Sequence, residues 1–147
     1  MSSIFQSLSI SGSALTANRL KLDVISANIA NANTTRGEFV NGEWIPYRRK
    51  MAEVTTAHAK PFQSFLETEL SLQGVRATKI VEDQTPFKPV YDPANPDSNE
   101  QGYVLLPNVD VTKEMVDLMT TSRNYEANVT AFNAGKSMLV KALEIGR

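Results

Sequence analysis

Cysteine is absent from this chain of 147 residues, and histidine and tryptophan occur once each, as His58 and Trp44. The lack of cysteine excludes disulfides, thiolate chemistry and cysteine-based metal sites. No segment approaches 18 uninterrupted apolar residues, so the sequence predicts no membrane-spanning helix. The formal net charge of −1 argues against a nucleic-acid-binding surface.

Proline is absent from both ends of the chain, whereas all seven prolines lie between positions 46 and 107. Because proline breaks helix interiors, this distribution favours long helices at the ends and an extended-chain module between them. We predict an α+β fold with three parts: an N-terminal helix in residues 1–36, a small β-rich module in residues 37–109, and a C-terminal helix in residues 110–147.

Apolar residues recur every seven positions at both ends. The N-terminal series is Leu8, Leu15, Leu22 and Ile29, with Ile4, Ser11, Asn18, Ile25 and Ala32 as companions. The C-terminal series is Val111, Leu118, Tyr125, Phe132 and Leu139, with Met115, Ser122, Val129, Lys136 and Leu143 as companions. This spacing predicts that the helices pair as a coiled coil. An ordinary amphipathic helix packed on its own domain shows a similar stripe.

The helix lengths favour an assembly. Some 30 helical residues span roughly 45 Å, which exceeds what the small middle module can cover. We therefore expect the outer turns to order fully only when neighbouring subunits cover them. The predicted assembly interface comprises thirteen residues of the two ends: Leu8, Leu15, Leu22, Ile25, Asn28, Ile29, Asn31, Leu118, Tyr125, Asn128, Phe132, Leu139 and Leu143.

Asparagines alternate with small residues in positions 26–33 (SANIANAN). Asparagine is a poor helix former, so its repetition inside a helix needs an explanation. We predict that these amides form hydrogen bonds between helices and fix their register, as polar seam residues do. Polar groups in residues 123–128 offer partners, and the alternative is a helix that frays near Thr34 and Thr35.

The middle module is predicted to consist of short strands and turns. Asn41-Gly42 is a favoured hairpin turn, and Asp110 is the expected N-cap of the last helix. Gly37 is expected to end the first helix, while Trp44, Ile45 and Tyr47 are expected to anchor a small core. The predicted extended segments are residues 51–55, 70–72, 75–81, 87–91 and 103–106, whereas residues 56–69 are weakly patterned.

No catalytic, cofactor or metal site is predicted. Gly135-Lys136-Ser137 resembles the tail of a phosphate-binding loop but lacks its first glycine and lies inside a helix. His58 has no partner fixed by spacing. The acidic loop that contains Asp92 and Asp97 lacks the alternation of a calcium loop. Three adjacent basic residues, Arg48, Arg49 and Lys50, are typical of a solvated strand end.

Several motifs together identify a family. Residues 27–34 (ANIANANT) followed by Gly37, and residues 123–128 (RNYEAN) leading into Ser137-Met138-Leu139, resemble the flagellar rod and hook family. Within the middle, residues 46–48, 91–96, 102–104 and 107–111 are similar to a proximal-rod member of that family. The resemblance covers nearly the whole chain except residues 56–69.

The resemblance implies a non-enzymatic structural subunit of the bacterial flagellar basal-body rod that transmits torque for motility. It implies helical assembly in the periplasm with other rod proteins and with copies of itself. It also implies export through the flagellar type III apparatus without a cleaved signal, in keeping with the lack of a recognisable secretory signal.

Three competing interpretations remain at this point. The middle module could bind a ligand in a pocket formed by Trp44, Tyr47 and Tyr103, with the helices as a dimerisation clamp. The chain could be a soluble coiled-coil adaptor for other exported subunits. It could also be a different rod subunit, although the proline-containing middle argues against that.

Overall fold

The computed structural model describes residues 2–56 and 74–145, which form two long helices and six short strands. Helix α1 spans Ser2–Ala30 and helix α2 spans Val111–Ile145. The strands between them are β1 (Glu38–Val40), β2 (Glu43–Ile45), β3 (Lys50–Thr56), β4 (Val75–Glu82), β5 (Lys88–Tyr91) and β6 (Tyr103–Leu106). The predicted α+β class is confirmed. The expected strand at residues 70–72 and the loop around His58 lie outside the described residues.

The strands form three two-stranded sheets, β1–β2, β3–β4 and β5–β6. The first and last are antiparallel, with Phe39 opposite Trp44 and Tyr91 opposite Tyr103. Asn41 and Gly42 have φ values of 53° and 92°, as the predicted tight hairpin turn requires. Four of the predicted extended segments therefore correspond to β3, β4, β5 and β6.

The chain separates into two compact units. The terminal unit contains residues 1–21, 53–79 and 120–147, and the inner unit contains residues 22–52 and 80–119. In each unit a segment of α1 packs with a segment of α2. No helix of the described residues is long and apolar enough to cross a membrane.

In the terminal unit, two glycines permit close approaches to α1. A side chain at Gly135 would lie 3.1 Å from Leu8 Cδ2, so α1 and α2 are in contact at this point. A side chain at Gly74 would lie 2.5 Å from Ser13 Oγ. That hydroxyl accepts a hydrogen bond from Val75 N at 3.1 Å and donates to Ile10 O at 2.7 Å. The start of β4 is thereby fastened to α1.

The most buried face of α1 is not the predicted leucine series. Ala17, Val24, Ile25 and Asn28 are buried, whereas the series that begins at Leu8 is half-buried throughout. Ala17, Val24 and Asn28 lie roughly 150° around the helix from that series. Two different sides of α1 are therefore partly covered, and the leucine series keeps exposed area.

On α2 the predicted apolar series is one of the two covered lines, whereas its predicted companion is half-buried only at Ser122 and Val129. The residues from Leu118 to Leu139 in that series are half-buried, whereas Val111 at its start is exposed. The line that alternates with the series is Glu114, Thr121, Asn128 and Gly135. By contrast, Met115 and Leu143 of the predicted companion line are 47% and 66% exposed. The covered companion line is polar or small, so an apolar pattern could not reveal it.

Two boundary predictions have different outcomes. Asp110 caps α2 as predicted, since its Oδ1 accepts hydrogen bonds from Thr112 N at 3.0 Å and Lys113 N at 3.3 Å. Helix α1, however, ends at Ala30, well before Gly37. Gly37 is required for another reason, because a Cβ there would lie 2.6 Å from the backbone nitrogen of Tyr47.

Candidate assembly interface and the polar cluster behind it

Asn28 is the centre of a buried hydrogen-bond network in the inner unit. Its amide group donates to Lys50 O at 2.8 Å and to Glu114 Oε2 at 3.1 Å. Its Oδ1 accepts from Tyr47 Oη at 3.0 Å and from Lys50 N at 2.9 Å. These four bonds use the full capacity of an amide side chain. One residue of α1 therefore holds β3 and α2 together, and the prediction of a bond between the helices is confirmed for Asn28.

Glu114 and Arg49 extend this network as an ion pair. Glu114 is fully buried, and its Oε1 accepts a hydrogen bond from Arg49 Nε at 2.6 Å. The Arg49 guanidinium also lies 3.4 Å from Asp83 Oδ2. Asn108 Oδ1 accepts from Arg49 N at 2.8 Å. A buried carboxylate is tolerated because it is both paired and hydrogen-bonded.

The pKa values of the cluster reflect these partners. Burial opposes the charge of Arg49, but its hydrogen bond to Glu114 and the negative charges of Glu114 and Asp83 outweigh this, so the pKa of Arg49 is raised. Burial, followed by the charges of Glu114 and Glu82, raises the pKa of Tyr47. At neutral pH, Arg49 is therefore charged and Tyr47 is a neutral donor to Asn28.

Asn31 and Asn128 differ from Asn28. The Nδ2 of Asn31, directly after α1, donates to Ala27 O of that helix at 2.9 Å, and the Nδ2 of Asn128 donates to Asn124 O within α2 at 2.8 Å. Asn31 also accepts from Thr34 Oγ1 at 3.3 Å, which stabilises the turn after α1. The sequence does not distinguish these local bonds from the bond that joins the helices.

The acidic loop between β5 and β6 holds the segment after α1. Asp97 accepts from Thr35 Oγ1 at 2.6 Å and from Arg36 Nε at 2.7 Å. These bonds, that of Arg36 first, hold the pKa of Asp97 below its usual value. No group of three or more potential metal ligands occurs in the part of the chain that the structure describes.

The basic residues around position 49 act separately. Arg48 lies over the Phe87 ring at 4.7 Å, and Lys50 lies 5.7 Å from the centre of the Tyr47 ring. Arg49 belongs to the buried cluster. Arg48 and Lys50 line one groove together with Glu38 and Glu82, so the three basic residues do not form a single cluster.

The grooves of the inner unit do not bring together the three aromatic residues of the competing ligand-binding interpretation. Trp44 and Tyr103 line one groove of the inner unit, whereas Tyr47 lines a different one. Trp44 is 54% exposed, so the expectation that it anchors a core is wrong. The ring centroids of Trp44 and Phe39 are 5.1 Å apart, and those of Tyr91 and Tyr103 are 5.3 Å apart.

The thirteen predicted interface residues fall into three groups. Ile25 and Asn28 are buried in the inner unit, and Leu143 is 66% exposed. The other ten are half-buried: Leu8, Leu15, Leu22, Ile29, Asn31, Leu118, Tyr125, Asn128, Phe132 and Leu139. Glu114, Arg49 and Tyr47 were not predicted, because their contacts join residues as far as 86 positions apart.

Comparison with known proteins gives the family. Residues 8–36 match the family described as flagella basal body rod protein, and residues 100–145 match the C-terminal family of flagellar basal body rod FlgEFG proteins. The chain is 54% identical to the flagellar basal-body rod protein FlgC of Bacillus subtilis, with 97% of this chain and 98% of the relative covered.

Two further relatives carry the same description. The FlgC protein of Borreliella burgdorferi is 41% identical, with 97% of both chains covered. That of Escherichia coli O6:H1 is 42% identical, with 94% of both chains covered. The similarity thus extends over nearly the full length of each chain, and the chain belongs to the FlgC family of flagellar basal-body rod proteins.

Proposed function

We propose that this chain is a structural subunit of the flagellar basal-body rod and assembles there through its terminal helices. The observation that carries the proposal is the near-full-length similarity to flagellar basal-body rod proteins. The function is structural rather than catalytic. Its partners are other rod components and further copies of the chain, and its location is the periplasmic part of the basal body.

The exposure of the helices supports assembly through them. The leucine series of α1 is half-buried in the isolated chain, and Met115 and Met119 on α2 are 47% and 61% exposed. Partly covered apolar stripes of this kind gain burial when a neighbouring helix packs on them. We propose the thirteen predicted residues as the interface, with one division of roles: Ile25 and Asn28 set the position of the helices, and the half-buried residues and the exposed Leu143 contact neighbours.

Delivery to the periplasm is a further part of the proposal. The family resemblance implies export through the flagellar type III apparatus. This route makes the export apparatus a transient partner of the unfolded chain. Retention of Met1 to Ala30 in protein recovered from basal bodies, measured by mass spectrometry, tests export without cleavage.

Electron microscopy of basal bodies from a deletion strain tests the function directly. We expect membrane rings that lack a complete rod and hook, and restoration by the intact gene. Ala127→Pro should fail to restore rods, because proline interrupts α2 in its interior. Complete rods with hooks in the deletion strain would contradict the proposal.

Variants of the leucine series separate assembly from folding. Leu15→Ser and Leu22→Ser should leave a folded monomer but prevent rod formation, because their side chains keep exposed area in the monomer. Thr16→Ala, at a neighbouring exposed position, is the matched control and should restore rods. Normal rods in both serine variants would exclude the leucine series from the interface.

A further inference from the structure

The two compact units carry opposite charge. The terminal unit contains nine lysines and arginines and five acidic residues, which gives a net charge of +4. The inner unit contains six basic and eleven acidic residues, which gives −5. The overall value of −1 hides this asymmetry. Opposite net charges favour contact between the terminal unit of one molecule and the inner unit of another.

The acidic inner unit also exposes a cluster of aromatic and aliphatic side chains. Trp44, Tyr103 and Leu105 line one groove and are 54%, 43% and 47% exposed. Phe39 and Tyr91 extend this surface through their ring contacts with Trp44 and Tyr103. Glu43 lines the same groove, as do Arg36 and Asp97, which form an ion pair with each other and leave Glu43 as the unbalanced charge of the lining. Exposed aromatic groups in a concave surface are typical of the centre of a protein–protein interface. We call this surface the aromatic face.

The basic terminal unit exposes a stripe on α2 that combines aliphatic side chains with a positive charge. Lys136, Val140 and Leu143 follow one another at spacings of four and three, so they share one side of the helix. Lys136 is exposed, and Val140 and Leu143 are 46% and 66% exposed. We call these three residues the basic stripe. It offers an aliphatic surface and a positive charge, which complement the aromatic face and Glu43.

We propose that copies of this chain associate head to tail, with the basic stripe of one copy docked on the aromatic face of the next. The inference rests on the proposed function and specifies its contacts. Because the two surfaces are different, each copy keeps one of each available after the first contact. Such heterologous contacts continue into an open assembly rather than close as a dimer.

Self-association of the purified full-length chain tests this directly. Trp44 is the only tryptophan and lies in the proposed contact, so its emission reports burial without labelling. We expect a concentration-dependent blue shift and, by sedimentation velocity, species larger than a monomer. Raising NaCl from 50 to 500 mM should weaken the Kd about tenfold, because salt screens the opposite charges.

Two variants, each of which disables one of the two surfaces, test whether the contact joins the basic stripe of one copy to the aromatic face of another. Glu43→Lys/Leu105→Ser disables the aromatic face, and Lys136→Glu/Leu143→Ser disables the basic stripe. Each alone should weaken association at least about tenfold. A mixture of the two should form one-to-one dimers and nothing larger, because each variant keeps the surface that the other lacks. Met138→Ser is the control, since Met138 is 57% exposed but lies off the stripe.

Several outcomes overturn the inference. They are a monomer with constant Trp44 emission at all concentrations, association that is insensitive to salt, and a mixture that does not recover dimers. Rod formation in the deletion strain separates this inference from the proposed function. If both double variants restore complete rods, the head-to-tail contact is wrong while the structural role stands. If the intact chain is absent from purified rods, the proposed function itself fails.

Discussion

Replacement of Asn28 by alanine should destabilise the monomer severely, because four hydrogen bonds converge on its side chain. The variant leaves Tyr47 Oη, the backbone groups of Lys50 and one oxygen of Glu114 without their partner. Each buried polar group that loses its bond costs about 1–3 kcal/mol, partly relieved by entering water. We expect a loss of about 3–5 kcal/mol, a large fraction of the about 5–15 kcal/mol that stabilises a typical domain.

Urea unfolding measures this loss. With a slope of about 2 kcal/mol per molar urea, the midpoint should fall by about 2 M. Circular dichroism follows the helices, and Trp44 fluorescence follows the inner unit. Both midpoints should move together in Asn28→Ala if the cluster couples α1 to the strands.

Asn31→Ala is the matched control for this prediction. The Asn31 side chain, directly after α1, donates to Ala27 O of that helix, so its loss should cost less than about 1 kcal/mol. An unfolding free energy for Asn28→Ala within 1 kcal/mol of the wild-type value would refute the reasoning. It would mean that water or a side-chain rearrangement replaces the amide at little cost.

Three further predictions concern the backbone and the charges. Gly37→Ala should lower the unfolding free energy by about 2–3 kcal/mol, because the new Cβ would lie 2.6 Å from Tyr47 N. Gly12→Ala, whose Cβ would have nothing within 4 Å, should raise the unfolding free energy by about 0.5–1 kcal/mol. Equal changes of Tm in the two variants would contradict this pair of predictions. Asp110→Ala should cost about 0.5–2 kcal/mol because it removes the cap of α2, and a Tm equal to that of the wild type would argue against the cap. The lowered pKa values of Asp97, due first to Arg36, and of Asp83, due first to Thr85, predict stability that is present above the ordinary carboxyl pKa and is lost as the pH falls through the lower folded values. In Asp97→Asn, the unfolding free energy measured with urea should fall less between neutral and acidic pH than in the wild type. An unchanged pH dependence would exclude Asp97 as a contributor.

Local signals in the sequence predicted the elements well. Asn41-Gly42 gave the β1–β2 hairpin, and Asp110 gave the start of α2, because turn and cap chemistry is contained in two to four adjacent residues. The absence of proline predicted the two helices. Gly37 shows the limit of such reasoning: its position suggested a helix end, but its role is a close approach to the backbone of Tyr47, in the segment that follows β2.

Contacts between distant residues could not be predicted. Glu114, Thr121, Asn128 and Gly135 form a covered line of α2, yet none is a large apolar residue, so apolar periodicity favoured the line of Met115 and Leu143. Asn28 and Asn31 look alike in sequence, and only the fold shows that Asn28 faces Glu114. Trp44 is exposed although a tryptophan usually indicates a core position, because it lines a surface groove of the inner unit.

The polar cluster has a consequence for the order in which the chain can fold. Asn28 on α1 and Glu114 on α2 are separated by 86 positions, and Arg49 lies between them. Until residue 114 is available, the carboxylate that completes the network is missing. A lone α1 segment is marginal in water without a packing partner. A chain that emerges from its N-terminus therefore cannot complete this network until residue 114 of 147 has appeared, and closing a contact over 86 positions is slower than closing a local one. The bonds that fix the helices in the finished subunit are missing from the incomplete chain, and their absence leaves that chain unfolded.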